Sequence, residues 1–304
     1  MIRGSLARRA EELLGARVPI VSATVVRARH PTSVRPGDAA VVLADGTIEG
    51  FVGGACAQAS VRLHALRALE TGEPIVLRLV PGGEDAGEDD RSEGVIVEHN
   101  PCLSGGTLEI FLEPQPPAPR VVVGGDTPVA RALEEVARAA GYDVLRADPT
   151  EVDPQPTDAA VVVASHGIDE ERVLVAALER GVSYVALVSS EKRGDAVRES
   201  LAVAPELRAR LHAPAGLPLG ARAPGEIAIA ILAQLVAESR AQPDVSAAAA
   251  APSTEAAVDP ICGMEVAVSD ASLKLAVGGE TFYFCGEGCR SAFADRHAAD
   301  VVDG

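Results

Sequence analysis

Tryptophan is absent from this chain of 304 residues, and aromatic side chains of all kinds make up only 3% of it. Lysine is confined to Lys192 and Lys274, so arginine carries nearly all of the positive charge. Acids outnumber bases by 44 to 27, for a formal charge of −17. No basic patch or arginine-rich run is present, which argues against nucleic acid as a partner. Five cysteines are too few and too scattered for a disulfide framework in a chain of this length. No apolar run approaches the length of a membrane span. Residues 1–19 carry Arg3, Arg8, Arg9 and Arg17 without a continuous apolar core, so they read as an amphipathic helix and not as a signal peptide. These absences together predict a cytoplasmic protein with reduced thiols.

What is present suits a globular protein. Apolar residues form 47% of the chain, and its length allows more than one core. Residues 6–14 have helical spacing, and residues 19–29 are a Val-rich strand. Residues 38–48 read as two short strands joined at Asp45-Gly46. Ala55, Ala59, Leu63, Leu66 and Leu69 then recur at helical spacing. Residues 74–80, 94–98 and 107–113 are further strands. The acidic, glycine-containing stretch 82–93 is too polar to pack and reads as a mobile loop. The proline-rich segment 114–119 marks a boundary, after which strands and helices alternate to about residue 240. That alternation predicts a doubly wound parallel sheet. Residues 241–258 read as a linker. The expected organisation is α/β: a mixed α+β domain over 1–114, a Rossmann-like domain over 120–240, and a small module over 259–304.

Several stretches carry chemistry. In Gly50-Phe51-Val52-Gly53-Gly54-Ala55-Cys56-Ala57-Gln58, two glycines open a helix with a thiol in its first turn. Glycine lets a ligand approach the backbone, and first-turn N–H groups favour an anion or thiolate. A small buried cysteine beside a turn is the plainer reading. Pro101-Cys102-Leu103-Ser104-Gly105-Gly106 has similar parts. The first βα turn of the second domain reads G-x-T-x-x-A on Gly125, Thr127 and Ala130. The dinucleotide fingerprint requires glycine where Thr127 stands, so NAD(P) binding is not expected, while a phosphate at this helix start is. Asp148, at the end of the following strand, has the place of the ribose-binding acid. His166 falls at the carboxyl end of a parallel strand, where open α/β sheets bind ligands, and Asp169 either joins that rim or caps the next helix. In the last module Cys262, Cys285 and Cys289 fit coordination of a soft or borderline ion such as zinc. Cys285 and Cys289 share a face if a helix starts at Gly286. No fourth ligand is evident; His297 and water are the candidates.

Taken in order, Arg35-Pro36-Gly37-Asp38, Asp45-Gly46, Gly50 to Cys56, Cys102 with Ser104-Gly105-Gly106-Thr107-Leu108-Glu109, Pro128-Val129-Ala130, His166 to Asp169, Tyr184-Val185-Ala186-Leu187-Val188 and Pro224-Gly225-Glu226-Ile227-Ala228 resemble the XdhC/CoxI family, the CoxI-like branch above all. That family matures molybdenum hydroxylases such as xanthine and carbon monoxide dehydrogenases. The resemblance implies an N-terminal domain followed by a Rossmann-like domain. It implies a factor that binds molybdenum cofactor, as molybdopterin or its cytosine dinucleotide form, assists its sulfuration and delivers it, without itself being a turnover enzyme. It places Gly53, Gly54, Cys56, Gln58, Cys102, Ser104 and Gly105 around the pterin and molybdenum, with Gly125, Thr127, His166 and Asp169 at the phosphate or nucleotide end. Gln58 stands where the family commonly has Glu, and Leu103 where it often has His. The implied partners are an apo molybdenum hydroxylase and a cysteine desulfurase, with a homodimer as the assembly. The tail, through Asp259-Pro260, Cys262-Gly263-Met264, Tyr283-Phe284-Cys285 and Cys289, resembles the YHS domain, a small treble-clef-like metal-binding module. Two rival readings remain: an NAD(P)-dependent oxidoreductase with a structural metal clip, and a metal sensor or scavenger led by the tail.

Overall fold

The computed structural model describes residues 4–81, 94–100, 106–241 and 254–297. The predicted mobile loop at 82–93, and Cys102, Ser104 and Gly105, lie outside the described residues. The chain forms two compact units, one of residues 1–117 with 251–304 and the other of residues 118–250.

In the first unit, helix α1 (Ser5–Gly15) precedes strands β1 (Ile20–Arg29), β2 (Ala39–Leu43) and β3 (Ile48–Gly50). Helix α2 (Ala55–Thr71) and strands β4 (Ile75–Pro81), β5 (Val95–Asn100) and β6 (Thr107–Gln115) follow. The strands form one sheet in the order β3-β2-β1-β6-β4-β5. Its pairs are antiparallel except β4 with β5. Period-2 alternation divides β1 between two cores. Val21, Ala23 and Val25 join Ile110, Leu112 and Leu77 under α2, while Ile20 meets Ala10 and Leu13 of α1.

Helix α2 is apolar on more than one side, the pattern of a buried helix. Ala57, Val61 and Ala65 pack on the sheet. The stripe most visible in the sequence, Ala59, Leu63 and Leu66, faces the other way and packs on Met264, Val266 and Ala267 of the tail. Burying a leucine stabilises by about 1.5–3 kcal/mol, so Leu63 and Leu66 make this a substantial contact. Arg67 with Glu265 at 3.2 Å, and Glu70 with the backbone N–H and hydroxyl of Thr254, border it.

The tail itself consists of β12 (Ala256–Val258) paired with β13 (Glu265–Ala267), the hairpin β14 (Leu273–Val277) and β15 (Glu280–Phe284), and a final helix α8 (Glu287–Arg296). Strand β12 begins inside the stretch that composition assigns to a linker; its backbone is paired although its side chains are small. The hairpin turns on Gly278 and Gly279, both at positive φ (60° and 87°), as a two-residue turn demands. Phe282, Phe284 and Phe293 fill the small core beneath it.

The second unit is a parallel sheet of β7 (Arg120–Gly124), β8 (Asp143–Ala147), β9 (Ala160–Val163), β10 (Tyr184–Leu187) and β11 (Leu211–His212), ordered β11-β10-β9-β7-β8. Its helices are α3 (Pro128–Ala139), α4 (Glu170–Glu179), α5 (Glu191–Ser200), α6 (Pro205–Arg208) and α7 (Pro224–Ala241). Both faces are covered, which explains the nearly continuous valine runs. Val121, Val123 and Val162 pack toward α3 and α7, and Val122, Val161 and Val163 toward α4. The strand order reverses between β7 and β9, so the switch point lies at Gly124–Gly125 and the residues that follow Val163.

Candidate functional site

The glycine turn and the tail thiols come together within the first unit. Gly54 is the N-cap residue of α2, in extended backbone (φ −68°, ψ 178°), with no side-chain cap and no acid in the first turn. The first helical N–H bond runs from Gln58 to the Gly54 carbonyl, 3.0 Å. The N–H groups before it have no partner within the helix. Cys56, half-buried, stands in this first turn.

The two glycines differ in what they exclude. Gly53 has φ 141°, and a Cβ there would lie 2.8 Å from the Ala57 Cβ. Its glycine is demanded by the turn itself. Among the described residues, a Cβ at Gly54 would meet nothing within 4 Å. Packing against the described residues therefore does not account for the missing side chain at Gly54. Gly106, the second glycine of the other predicted turn, is needed for close packing, since a Cβ would lie 2.1 Å from the Pro31 carbonyl oxygen.

The Cys285 Sγ is the centre of a thiol cluster. Cys262 Sγ lies 3.6 Å away, Cys289 Sγ 3.7 Å and Cys56 Sγ 3.9 Å. These separations are far beyond a disulfide bond, about 2.05 Å. Helix α8 starts after Gly286, also without a side-chain cap, and Cys289 is in its first turn. Two helix starts, each with a glycine N-cap, thus supply thiols to one place. A Cβ at Gly286 would come within 3.1 Å of the Ala55 Cβ, so glycine permits this approach. Ala59, Met264, Val266 and Tyr283 surround the sulfurs.

Asp259 belongs to the cluster by distance, its ligand atom and those of the three tail cysteines lying within 4.8 Å of one another. Its oxygens are already engaged. Oδ1 accepts from the N–H of Ile261 (2.9 Å) and Cys262 (3.4 Å), and Oδ2 from the N–H of Cys285 (2.9 Å). Burial raises its pKa, but the backbone N–H groups of Cys285 and Ile261, with the Cys285 and Cys289 thiols, outweigh that and hold it below the usual carboxylate value. Asp259 therefore shapes the loop that presents Cys262 beside Cys285. His297 is not at the cluster: its Nδ1 lies 3.0 Å from the Phe293 carbonyl oxygen, and its ring stacks on Phe293.

Cys285 and Cys289 carry raised pKa values. The hydrogen bond with Cys56, then burial, pushes Cys285 far above its ordinary value, and burial pushes Cys289 up to about 12. Crowded thiolates repel one another, and a bound cation reverses that penalty. The donor set, sulfur-rich and partly buried, suits a soft or borderline ion.

A polar stripe on α2 escaped the sequence reading. Cys56, Ser60 and His64 are successive at i, i+4. The Ser60 hydroxyl reaches the Cys56 carbonyl (3.3 Å) and Glu98 Oε1 (2.7 Å), and His64 Nε2 lies 3.0 Å from Glu98 Oε2. His64 is 6% exposed, and its buried Nδ1 has no hydrogen-bond partner among the described residues. The four-residue spacing is the signal in the sequence; the partner, Glu98 on β5, has none.

In the second unit Thr127 is the N-cap of α3, and its hydroxyl accepts from the Ala130 N–H at 3.2 Å. A Cβ at Gly125 would lie 2.3 Å from the Ala164 carbonyl oxygen, so this glycine serves strand packing at the switch point. Asp148 Oδ1 accepts from the Thr150 N–H and hydroxyl in a short turn of its own. His166 is exposed in left-handed backbone (φ 56°). Asp169 occupies the N-cap position but makes no cap hydrogen bond; its φ is 49°, and its carboxylate pairs with Arg172. The buried acid here is Glu170, 4% exposed, which accepts from the Gly167 N–H at 2.7 Å and pairs with Arg193.

Comparison with known proteins covers both units. Residues 13–79 match the model of the XdhC and CoxI family, and residues 121–235 match that of the XdhC Rossmann domain. Uncharacterized protein YqeB of Escherichia coli (strain K12) is 29% identical over 248 residues, which are 72% of this chain and 43% of that protein. The chain thus spans less than half the length of that relative. A solved structure from Bacillus halodurans, titled a xanthine dehydrogenase, is 18% identical and covers 80% of this chain and 98% of its own, with a TM-score of 0.39. Among the described residues no helix is long and apolar enough to cross a membrane. With residues 13–79 and 121–235 matched in that order by the two models of one family, the chain belongs to the XdhC and CoxI family.

Proposed function

We propose that this protein binds molybdenum cofactor and delivers it to an apo molybdenum hydroxylase of the xanthine or carbon monoxide dehydrogenase type. Family membership supports the cargo. The observation that carries the site is the start of α2, with no side-chain cap, a thiol at Cys56 and, among the described residues, open space at Gly54. First-turn N–H groups without an intrahelical partner and the helix dipole suit a molybdenum-bound oxygen or sulfur. Gln58, one turn into α2, and Cys102, Ser104 and Gly105 complete the proposed pterin and molybdenum contacts. Gly125, Thr127, His166 and Asp169 are assigned to the phosphate or nucleotide end. Sulfuration with a cysteine desulfurase, action in the cytoplasm and a homodimeric assembly belong to the same reading. The tail is assigned as a YHS-type metal-binding module through Cys262, Cys285 and Cys289.

The test is cofactor retention. Protein from a molybdenum-replete host should carry pterin and molybdenum. Gly54→Val, whose backbone angles any residue adopts, should fold and lose most of both. Wild-type protein without pterin, or a Gly54→Val variant with full loading, overturns the site.

A further inference from the structure

We infer that Cys56 is the fourth thiolate of a tetrahedral metal site whose other three ligands are Cys262, Cys285 and Cys289, so that a single ion ties the start of α2 to the tail. The inference rests on the reading of the tail as a metal-binding module and is independent of molybdenum cofactor.

Geometry carries it. With zinc–sulfur bonds of about 2.3 Å, the sulfurs of a tetrahedral site stand about 3.8 Å apart. The Cys285 Sγ has three sulfurs at 3.6, 3.7 and 3.9 Å, and the third of these is Cys56. The rival oxygen donor, Asp259, accepts N–H bonds at both of its oxygens. The rival nitrogen donor, His297, is turned to the Phe293 carbonyl and ring. Four thiolates on a divalent ion leave a net charge of −2. The α2 and α8 N-termini, each with a glycine N-cap and no side-chain cap, bring partial positive charge to the donor set. Apolar contacts already hold the two segments together, through Ala59 against Met264 and Val266 and Leu63 against Ala267. These contacts hold the Cys56 sulfur beside Cys285, and ligation would draw it in toward Cys262 and Cys289, since it lies outside the group of ligand atoms within 4.8 Å of one another. A closed all-sulfur site is the structural kind, and a zinc-class ion suits it.

Ligation gives Cys56 two exclusive uses. While its thiolate binds the tail ion, it is not available as a terminal ligand to a second metal or as a nucleophile that takes up sulfur. The tail ion is then a lock on the glycine turn, and freeing Cys56 requires that the ion leave or the tail swing away.

Zinc(II) alone, added to the full-length reduced protein, is the probe, with X-ray absorption counting its sulfur neighbours. Wild type should show four sulfurs at about 2.3 Å. Cys56→Ser should show three sulfurs and one lighter atom, and bind zinc at least ~10-fold more weakly, since even outer-shell changes cost that much. Cys262→Ser should change the count in the same way. Because a variant can misfold, wild type alone gives a second readout: zinc should protect Cys56 from alkylation together with Cys262, Cys285 and Cys289. Three sulfurs in wild type, or zinc protection of the tail cysteines but not Cys56, overturns the fourth ligand and leaves the tail site intact. No zinc binding at all overturns the metal reading as well. Neither result touches pterin retention.

Discussion

The Sγ atoms of Cys56 and Cys285 lie 3.9 Å apart although 229 positions separate the residues in the chain. That contact joins the glycine turn, where the family resemblance places cofactor, to a tail that carries its own thiols. The proximity makes the tail a part of the glycine turn's environment and not an appendage.

If the tail ion and the cofactor draw on the same thiolate, they compete. Protein preloaded with zinc(II) should retain less pterin than zinc-free protein, and a chelator should restore the difference. The measurement is pterin per mole of folded protein across a zinc titration. Equal retention at every zinc concentration argues that Cys56 has no part in holding cofactor.

Gly53 and Gly54 should separate fold from function. Gly53→Ala places a Cβ 2.8 Å from Ala57 in a backbone conformation that L-residues avoid, and should cost about 1–3 kcal/mol. Gly54→Ala meets none of the described residues and should cost at most about 1 kcal/mol, the usual difference at an N-cap. Thermal melts of the two variants check this, and equal losses would remove the distinction between a turn glycine and a ligand glycine.

Glu98 ties the edge strand β5 to α2 through Ser60 and His64. Glu98→Ala leaves a buried imidazole with neither nitrogen bonded, and should destabilise by about 2 kcal/mol. Glu98→Gln keeps the shape and an oxygen acceptor and should recover part of that loss. A melt of Glu98→Ala indistinguishable from wild type would show that water replaces the carboxylate without cost.

Thr127 should matter to the helix and not to a nicotinamide cofactor. Thr127→Ala removes the hydrogen bond to the Ala130 N–H and should cost about 1 kcal/mol. Calorimetry with NAD, NADP and their reduced forms should detect no micromolar binding to wild type. Micromolar affinity for any of them would favour the oxidoreductase alternative.

The sequence alone determined most of the secondary structure and the family, because the signals are local or ordered along the chain. Val121, Val122 and Val123 read as a buried strand from their own composition, and Gly278-Gly279 between alternating strands reads as a hairpin, since the turn needs two residues at positive φ. Gly54 and Gly286 likewise announce helix starts. Tertiary structure decided what those elements meet. Ala59, Leu63 and Leu66 are an apolar stripe in any reading, but hydrophobic contact is non-directional, so spacing cannot say whether the sheet or the tail covers it. Asp169 sits where a cap is expected, yet its backbone turns left-handed and its carboxylate goes to Arg172. The fourth sulfur of the cluster comes from the opposite end of the chain. A thiol's identity is written in the sequence, but its distance from another thiol is set by the packing of α2 against the tail, and only the folded chain brings Cys56 to Cys285.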